Sequence, residues 1–289
     1  MGHLLPRAAE FLYCGLAMLR SPITEPDQAP GALPPVELID GDAGFGLIIL
    51  CDHAGNHIPE AYDGLGLGEG VRRSHVAYDI GARGVAAGLA ELTGAPAVMT
   101  RYSRLLIDPN RAADDTTLVM RIADGSVITG NARIDGDEIA RRATAFHAPY
   151  HTAIDSAIER AIEAGCPPAL LSVHSFTPRV HGVERPGHAT VLWDRDARLP
   201  LRLLDGLGRE RDLVIGENVP YSGKLKGDTL YRHATGRGLA HALIEIRQDL
   251  IAGEDGQREW ADRLGRIMPE IMKAPGLHEI RYYGSDAGG

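Results

Sequence analysis

Two histidines each follow a short apolar run. His53 comes just after GLIILC and Asp52, and His174 comes immediately after ALLSV. Uncharged runs rich in aliphatic residues predict buried parallel strands, and ligands of open α/β sheets are met by polar residues at the strand ends. A single strand-end histidine usually bonds a backbone carbonyl. Two in equivalent places point to metal, because neutral imidazole is the commonest zinc ligand and a catalytic zinc takes three protein ligands plus water. Asp79, Asn56 and Glu60 compete for the third place. Asn is a poor zinc ligand and Glu60 follows Pro59 out of easy reach, which favours Asp79; its ordinary alternative role is a helix N-cap.

The other groups are, in type, a general base and an anion clamp. Glu245 interrupts an apolar strand pattern, where an unpaired carboxylate is costly, so it should face metal-activated water as a base or pair with Arg247. Asn110-Arg111 follow LLIDP, with Arg104 upstream and Arg179 after His174. A guanidinium fork is suited to a substrate carboxylate; the competing role is an ion pair with Asp108, Asp114 or Asp115. His147 and His151 have helical i, i+4 spacing, but Pro149 lies between them and no H-E-x-x-H is present. His151, beside Tyr150, is expected to face substrate or to be structural. The chain has no P-loop and no G-x-S-x-G elbow, and GLGLGEG at residues 64–70 follows no strand. Cys51 and Cys166 read as small buried hydrophobes rather than nucleophiles.

These groups need strands to carry them. Strands are predicted at Gly46–Cys51, Pro96–Thr100, Leu105–Ile107, Ala169–Val173, Thr190–Trp193, Leu213–Ile215 and Leu239–Ile246. Helices are predicted at Asp79–Leu92, Asp137–Ala164 and Glu259–Met272. The alternation implies an α/β fold with a largely parallel sheet. The 289 residues leave room for one large domain, here 41–289, and the hydrophobic fraction of 44% with 24% charged residues indicates a folded chain. Residues 1–40 read as an extension: a marginal apolar helix interrupted by Arg7 and Glu10, then a Pro-rich linker. Without a convincing export signal or membrane-length run, and with three Cys in no disulfide-like spacing, a cytoplasmic location is expected. A net charge of −9 argues against nucleic-acid partners, and 5% aromatics argues against a stacking surface.

Taken in order, CDHAGNHIP, AYDIGARGVA, YSRLLIDPNRA, FHAPYH, LLSVHSFTPR and IEIRQDLI resemble the N-formylglutamate amidohydrolase family over roughly residues 45–270. That family is similar in fold to zinc carboxypeptidases. The resemblance implies a three-layer α/β domain with a mostly parallel mixed sheet. His53, His174-Ser175-Phe176, Asn110-Arg111 and Glu245-Ile246-Arg247 match the carboxypeptidase pieces. One departure is Asn56, which stands where those enzymes carry a Glu three residues after the first His, and Asp79 is the substitute it suggests. The implied activity is zinc-dependent hydrolysis of a small N-acyl amino acid, N-formyl-L-glutamate first, within histidine catabolism. One Zn2+ per chain would sit on His53, Asp79 and His174, with Glu245 as base and Arg111 on the substrate α-carboxylate, assisted by Arg104 or Arg179. The rival readings are a carboxypeptidase-like or cell-wall peptide amidase, and a non-catalytic binder of amino-acid-like ligands.

Overall fold

Apolar runs become the middle of a sheet covered on both faces. The computed structural model describes residues 33–180 and 182–287; the apolar segment and most of the linker expected before residue 40 lie outside them. One sheet holds seven strands: β1 (Val36–Ile39), β2 (Leu47–Cys51), β3 (Ala97–Thr100), β4 (Ala169–Phe176), β5 (Ala189–Leu192), β6 (Ile215–Glu217) and β7 (His241–Arg247). Their order is β1-β3-β2-β4-β7-β5-β6. The central strands β3, β2, β4 and β7 run parallel, while β1, β5 and β6 run the opposite way. Residues 36–39, expected within the extension, thus supply an edge strand paired with β3.

Besides a single helical turn at Glu69–Arg72, the helices are α1 (Ala82–Thr93), α2 (Gly136–Arg142), α3 (Ala148–Glu163), α4 (Pro200–Gly208), α5 (Thr229–His233) and α6 (Glu254–Ile271). Alternate strand residues go to opposite layers. Ile49, Met99, Leu171 and Ile244 pack with Val85 and Leu89 of α1, Leu203 of α4, and Trp260 and Leu264 of α6. Ile48, Leu50, Leu170 and Leu243 pack with Tyr150, Ile154 and Ile158 of α3 and Leu230 of α5. Each large aliphatic side chain so buried contributes about 1.5–3 kcal/mol. The result is the expected three-layer α/β architecture, with a mixed, mostly parallel sheet. No helix among the described residues is long and apolar enough to cross a membrane.

Three departures from the sequence pattern shape the site. Leu105–Ile107 are buried but form a turn, with Leu106 N–H donating to Ser103 O at 2.9 Å. They anchor a third cluster with Tyr102, Leu118 and Phe146. Their apolarity marks burial, and no strand among the described residues pairs with them. The single helix expected over 137–164 is divided by a π turn at Ala143–His147. Pro149 follows at the start of α3 and has no N–H to give the ladder, which suits a local widening there. Finally, β4 continues through His174 to Phe176, so His174 lies inside the strand rather than after it.

Candidate active site

Because side chains alternate along a strand, Ser172 and His174 of β4 share the face that carries Leu170, and Glu245 of β7 shares it with Leu243. Glu245 pairs in register with His174 on one side and with Thr190 on the other. His53 stands in the turn after β2, the neighbour of β4. That turn needs glycine: a Cβ on Gly55 would lie 2.2 Å from Arg101 O. Asp79 lies three residues ahead of α1 and is not its cap. The residue before the helix is Gly81 at φ +82°, where a Cβ would strike Ile251 O. The Asp79 carboxylate is therefore free to face the imidazoles.

His174 Nδ1 lies 2.8 Å from Asp79 Oδ2, and His53 Nδ1 lies 3.5 Å from the same oxygen. One ligand atom from each of the three residues falls within 4.8 Å of the others. His53 Nδ1 is buried without a hydrogen-bond partner among the described residues. The far nitrogens are held by carboxylates: His53 Nε2 by Asp108 Oδ1 at 2.7 Å, and His174 Nε2 by Asp52 Oδ2 at 2.8 Å. Such outer carboxylates fix ring orientation in metal sites. Asp52 also accepts from Ser172 Oγ at 2.6 Å and from Tyr150 OH at 3.0 Å.

The charges form a balanced set. Burial opposes ionisation of Asp79, but His53 and His174 outweigh it and hold the carboxyl below the usual range. Burial likewise opposes charge on Asp108 and is outweighed by Arg104, His53 and Arg111. Burial also works against a charged His174, yet its hydrogen bonds to Asp52 and Asp79 hold its pKa well above the ordinary value. The carboxylates thus call for positive charge between them. Two imidazole nitrogens, one of them orphaned, converge on a carboxylate oxygen, and this donor set fits a divalent metal of the zinc type, whose bonds of about 2.0–2.2 Å place ligand atoms about 3.4 Å apart.

A cavity of 520 Å³ opens over this group, lined among others by His53, Asp79, His174, Glu245, Arg104, Asn110 and Arg111. Burial pushes the Glu245 carboxyl up to about 7; His174 pulls the other way and Asp79 pushes with it. A carboxyl poised near neutrality in a cleft suits proton transfer. Arg247 instead pairs with Asp249 at 2.8 Å. The two arginines of the LLIDPN segment separate in role. Arg104 Nη2 donates to Asp108 Oδ2 at 2.9 Å and lies 3.7 Å from Asp79. Arg111 Nη1 donates to Asn110 O at 2.9 Å, and no carboxylate among the described residues forms an ion pair with it.

Some expected site residues lie elsewhere. Arg179 is exposed and paired with Glu184, because the two face each other across a short hairpin at 179–184. His151 is buried behind the cavity wall against His147 and His233. Asn56 donates to Arg72 O at 3.0 Å and Glu60 is exposed, so neither joins the two histidines. The sequence reading did not single out Asp52 and Asp108 as histidine partners. Their signal was present: each is an acidic residue directly after an apolar run, and a ligating His needs its second nitrogen held.

The N-formylglutamate amidohydrolase family model matches residues 45–252. A gene product of Agrobacterium tumefaciens with a crystal structure is 33% identical, with a TM-score of 0.76 over 83% of this chain and 95% of that one. The N-formylglutamate amidohydrolase from Ralstonia eutropha JMP134 is 20% identical, with a TM-score of 0.66 over 83% of this chain and 98% of its own, and shows the shared fold. No curated protein matches the chain. With the family model spanning most of the folded region, the chain belongs to the N-formylglutamate amidohydrolase family.

Proposed function

We propose that this protein hydrolyses the amide bond of a small N-acyl amino acid, N-formyl-L-glutamate before others, with one zinc per chain. The observation that carries this reading is the convergence, in one cavity, of His53, Asp79 and His174 beside Glu245 and an Arg111 that has no carboxylate partner among the described residues. Zinc held by the three ligands would polarise the amide carbonyl and lower the pKa of water toward neutrality. Glu245 takes a proton from the attacking water and passes it to the leaving nitrogen. Arg111 receives the substrate α-carboxylate through its fork, and Asn110 lines the same wall. Arg104, fixed by Asp108, adds positive charge there. Asp52 and Asp108 keep the imidazoles oriented so that Nδ1 of each faces the ligand position.

The test is direct. Zinc-loaded protein is incubated with N-formyl-L-glutamate, and formate and glutamate are measured together. Equimolar release, abolished by a chelator and restored by zinc, supports the reading. Absence of release from this compound and from a panel of N-acyl amino acids would overturn it.

A further inference from the structure

Behind the wall that carries Asn110 and Arg111 lies a chain of three buried histidines that the proposed chemistry leaves unused. His147 closes the π turn, His151 follows one turn later in α3, and His233 ends α5. Their ring nitrogens run in sequence. His233 Nδ1 meets Asp155 Oδ1 at 3.0 Å, and His233 Nε2 meets His151 Nδ1 at 2.7 Å. His151 Nε2 lies 3.2 Å from His147 Nε2, which lies 3.0 Å from Arg111 O. Pro109 O is 3.1 Å from His151 Nε2 and also accepts from Thr229 Oγ1 at 3.4 Å.

Donor counting narrows the proton positions. The Asp155 carboxylate can only accept, so His233 Nδ1 carries hydrogen. If His233 is neutral, its Nε2 accepts from His151 Nδ1–H, and His151 Nε2 is then an acceptor for His147 Nε2–H. If His233 is cationic, the direction reverses and His151 Nε2–H donates to Pro109 O. Arg111 O can only accept, so His147 Nε2 bears hydrogen in both arrangements; in the neutral one that hydrogen is shared between Arg111 O at 3.0 Å and His151 Nε2 at 3.2 Å. Burial lowers the pKa of all three rings, which favours the neutral arrangement.

The rest of the Asp108–Arg111 turn is secured from other sides. Asn110 N–H donates to Asp108 Oδ1 at 2.9 Å, Asn110 Oδ1 accepts from Thr229 N–H at 2.9 Å, and Arg111 Nη1 returns to Asn110 O. Arg111 O, where the chain leaves this turn, is held by His147 alone among the side-chain bonds of the described residues. We propose that His147 is a positioning residue for Arg111, holding its backbone so that the guanidinium faces the cavity, with Asp155, His233 and His151 fixing the tautomer that donates. The inference rests on the reading of Arg111 as the carboxylate clamp.

The experiment compares zinc-loaded His147→Gln and His147→Leu with the unaltered protein. Gln keeps an N–H at similar reach and Leu has none. KM and kcat are measured for N-formyl-L-glutamate and for its α-carboxamide, and calorimetric Kd for both compounds with each protein carrying Glu245→Gln in addition, so that turnover does not intrude. Losing one hydrogen bond in the support predicts KM and Kd about tenfold higher for the acid in His147→Leu. With kcat and zinc content near normal, the carboxamide little affected and His147→Gln close to the unaltered protein, the proposal stands. Equal weakening of acid and carboxamide, a fall in kcat at constant KM, or a Gln variant as impaired as Leu would overturn it. If the unaltered protein neither hydrolyses nor binds either compound, the proposed function fails instead. The positioning is then read from hydrogen exchange over residues 108–112, where unchanged exchange in His147→Leu refutes it.

Discussion

Glu245 lies directly across the parallel ladder from His174, so the carboxyl expected to move protons and an imidazole expected to hold metal project from adjacent strands toward the same cavity. Neighbouring strands run about 4.8 Å apart, and that spacing sets the reach between them without any loop. Glu245→Gln keeps the shape and removes the base. The variant should retain zinc and bind substrate, with kcat lower by about 100- to 10,000-fold. Near-normal turnover would assign the base to another carboxylate.

Metal content is the second expectation. Elemental analysis should find one zinc per chain. The double variant His53→Ala and His174→Ala should lose the metal while its far-UV circular dichroism stays that of a folded α/β protein, since both rings lie at the cavity rather than within the aliphatic clusters. Full occupancy in the double variant would place the metal elsewhere.

Asp52 is buried and accepts from Tyr150, Ser172 and His174 at once. Asn in its place turns one acceptor oxygen into a donor and leaves His174 less firmly oriented. Asp52→Asn should weaken zinc binding by about 10- to 100-fold, measured by competition with a chromogenic chelator. Unchanged affinity would mean that Asp52 serves the core alone.

Arg111→Lys tests the clamp. Lys offers a point charge without a fork, and losing one partner of such a partly buried charge pair costs about 2–4 kcal/mol. The kcat/KM for N-formyl-L-glutamate should fall by about 30- to 1000-fold, with a small change for the α-carboxamide. Equal losses on the two substrates would show a folding defect, and the clamp would then be sought at Arg104.

The buried histidines should contribute a pH dependence to stability below neutrality. Burial lowers His233 to about 4, with Asp155 pulling the other way, and lowers His151 further. Unfolded histidine titrates near 6.5. Between those values the unfolded chain binds protons that the folded one refuses, so stability rises with pH there. The contribution is fully present above about pH 6.5 and is lost as pH falls toward 4. The carboxylates Asp52, Asp79 and Asp108, held low in the fold, act at lower pH, since their unfolded value is 3.8. Burial raises the Glu245 and Asp228 carboxyls to about 7, which acts in the opposite direction over the same range, so the histidine contribution is read as a difference: the melting temperature of His233→Gln relative to the unaltered protein should rise as pH falls from about 6.5 to 4. An identical slope in the two proteins would contradict this.

The central strands were legible because burial on both faces demands uninterrupted aliphatic runs, and GLIILC and ALLSV can do little else. The polar residues at their cavity ends, His53 and His174, and Glu245 within its apolar strand, were conspicuous for the same reason. The edge strand 36–39 escaped notice because its residues are only partly buried. Leu105–Ile107 read as a strand because apolarity reports burial and not which backbone groups are available to pair.

Which side chains meet was a different matter. Asp79 reaches His174 across 95 residues of chain and Asp52 reaches it across 122. Those encounters follow from β4 lying between β2 and β7, an order that no local pattern encodes. The same holds for Arg104, paired with Asp108, against Arg111, which has no ion pair among the described residues, and for His151, bonded behind the wall to His233. The sequence by itself determined the strand cores and the chemical types at their ends, through burial and period. Tertiary structure decided that Asp79 stands beside the two histidines, that Asp52 and Asp108 hold their far nitrogens and that Arg104 rather than Arg111 pairs with Asp108, because each depends on distances between segments that only sheet order and helix packing set.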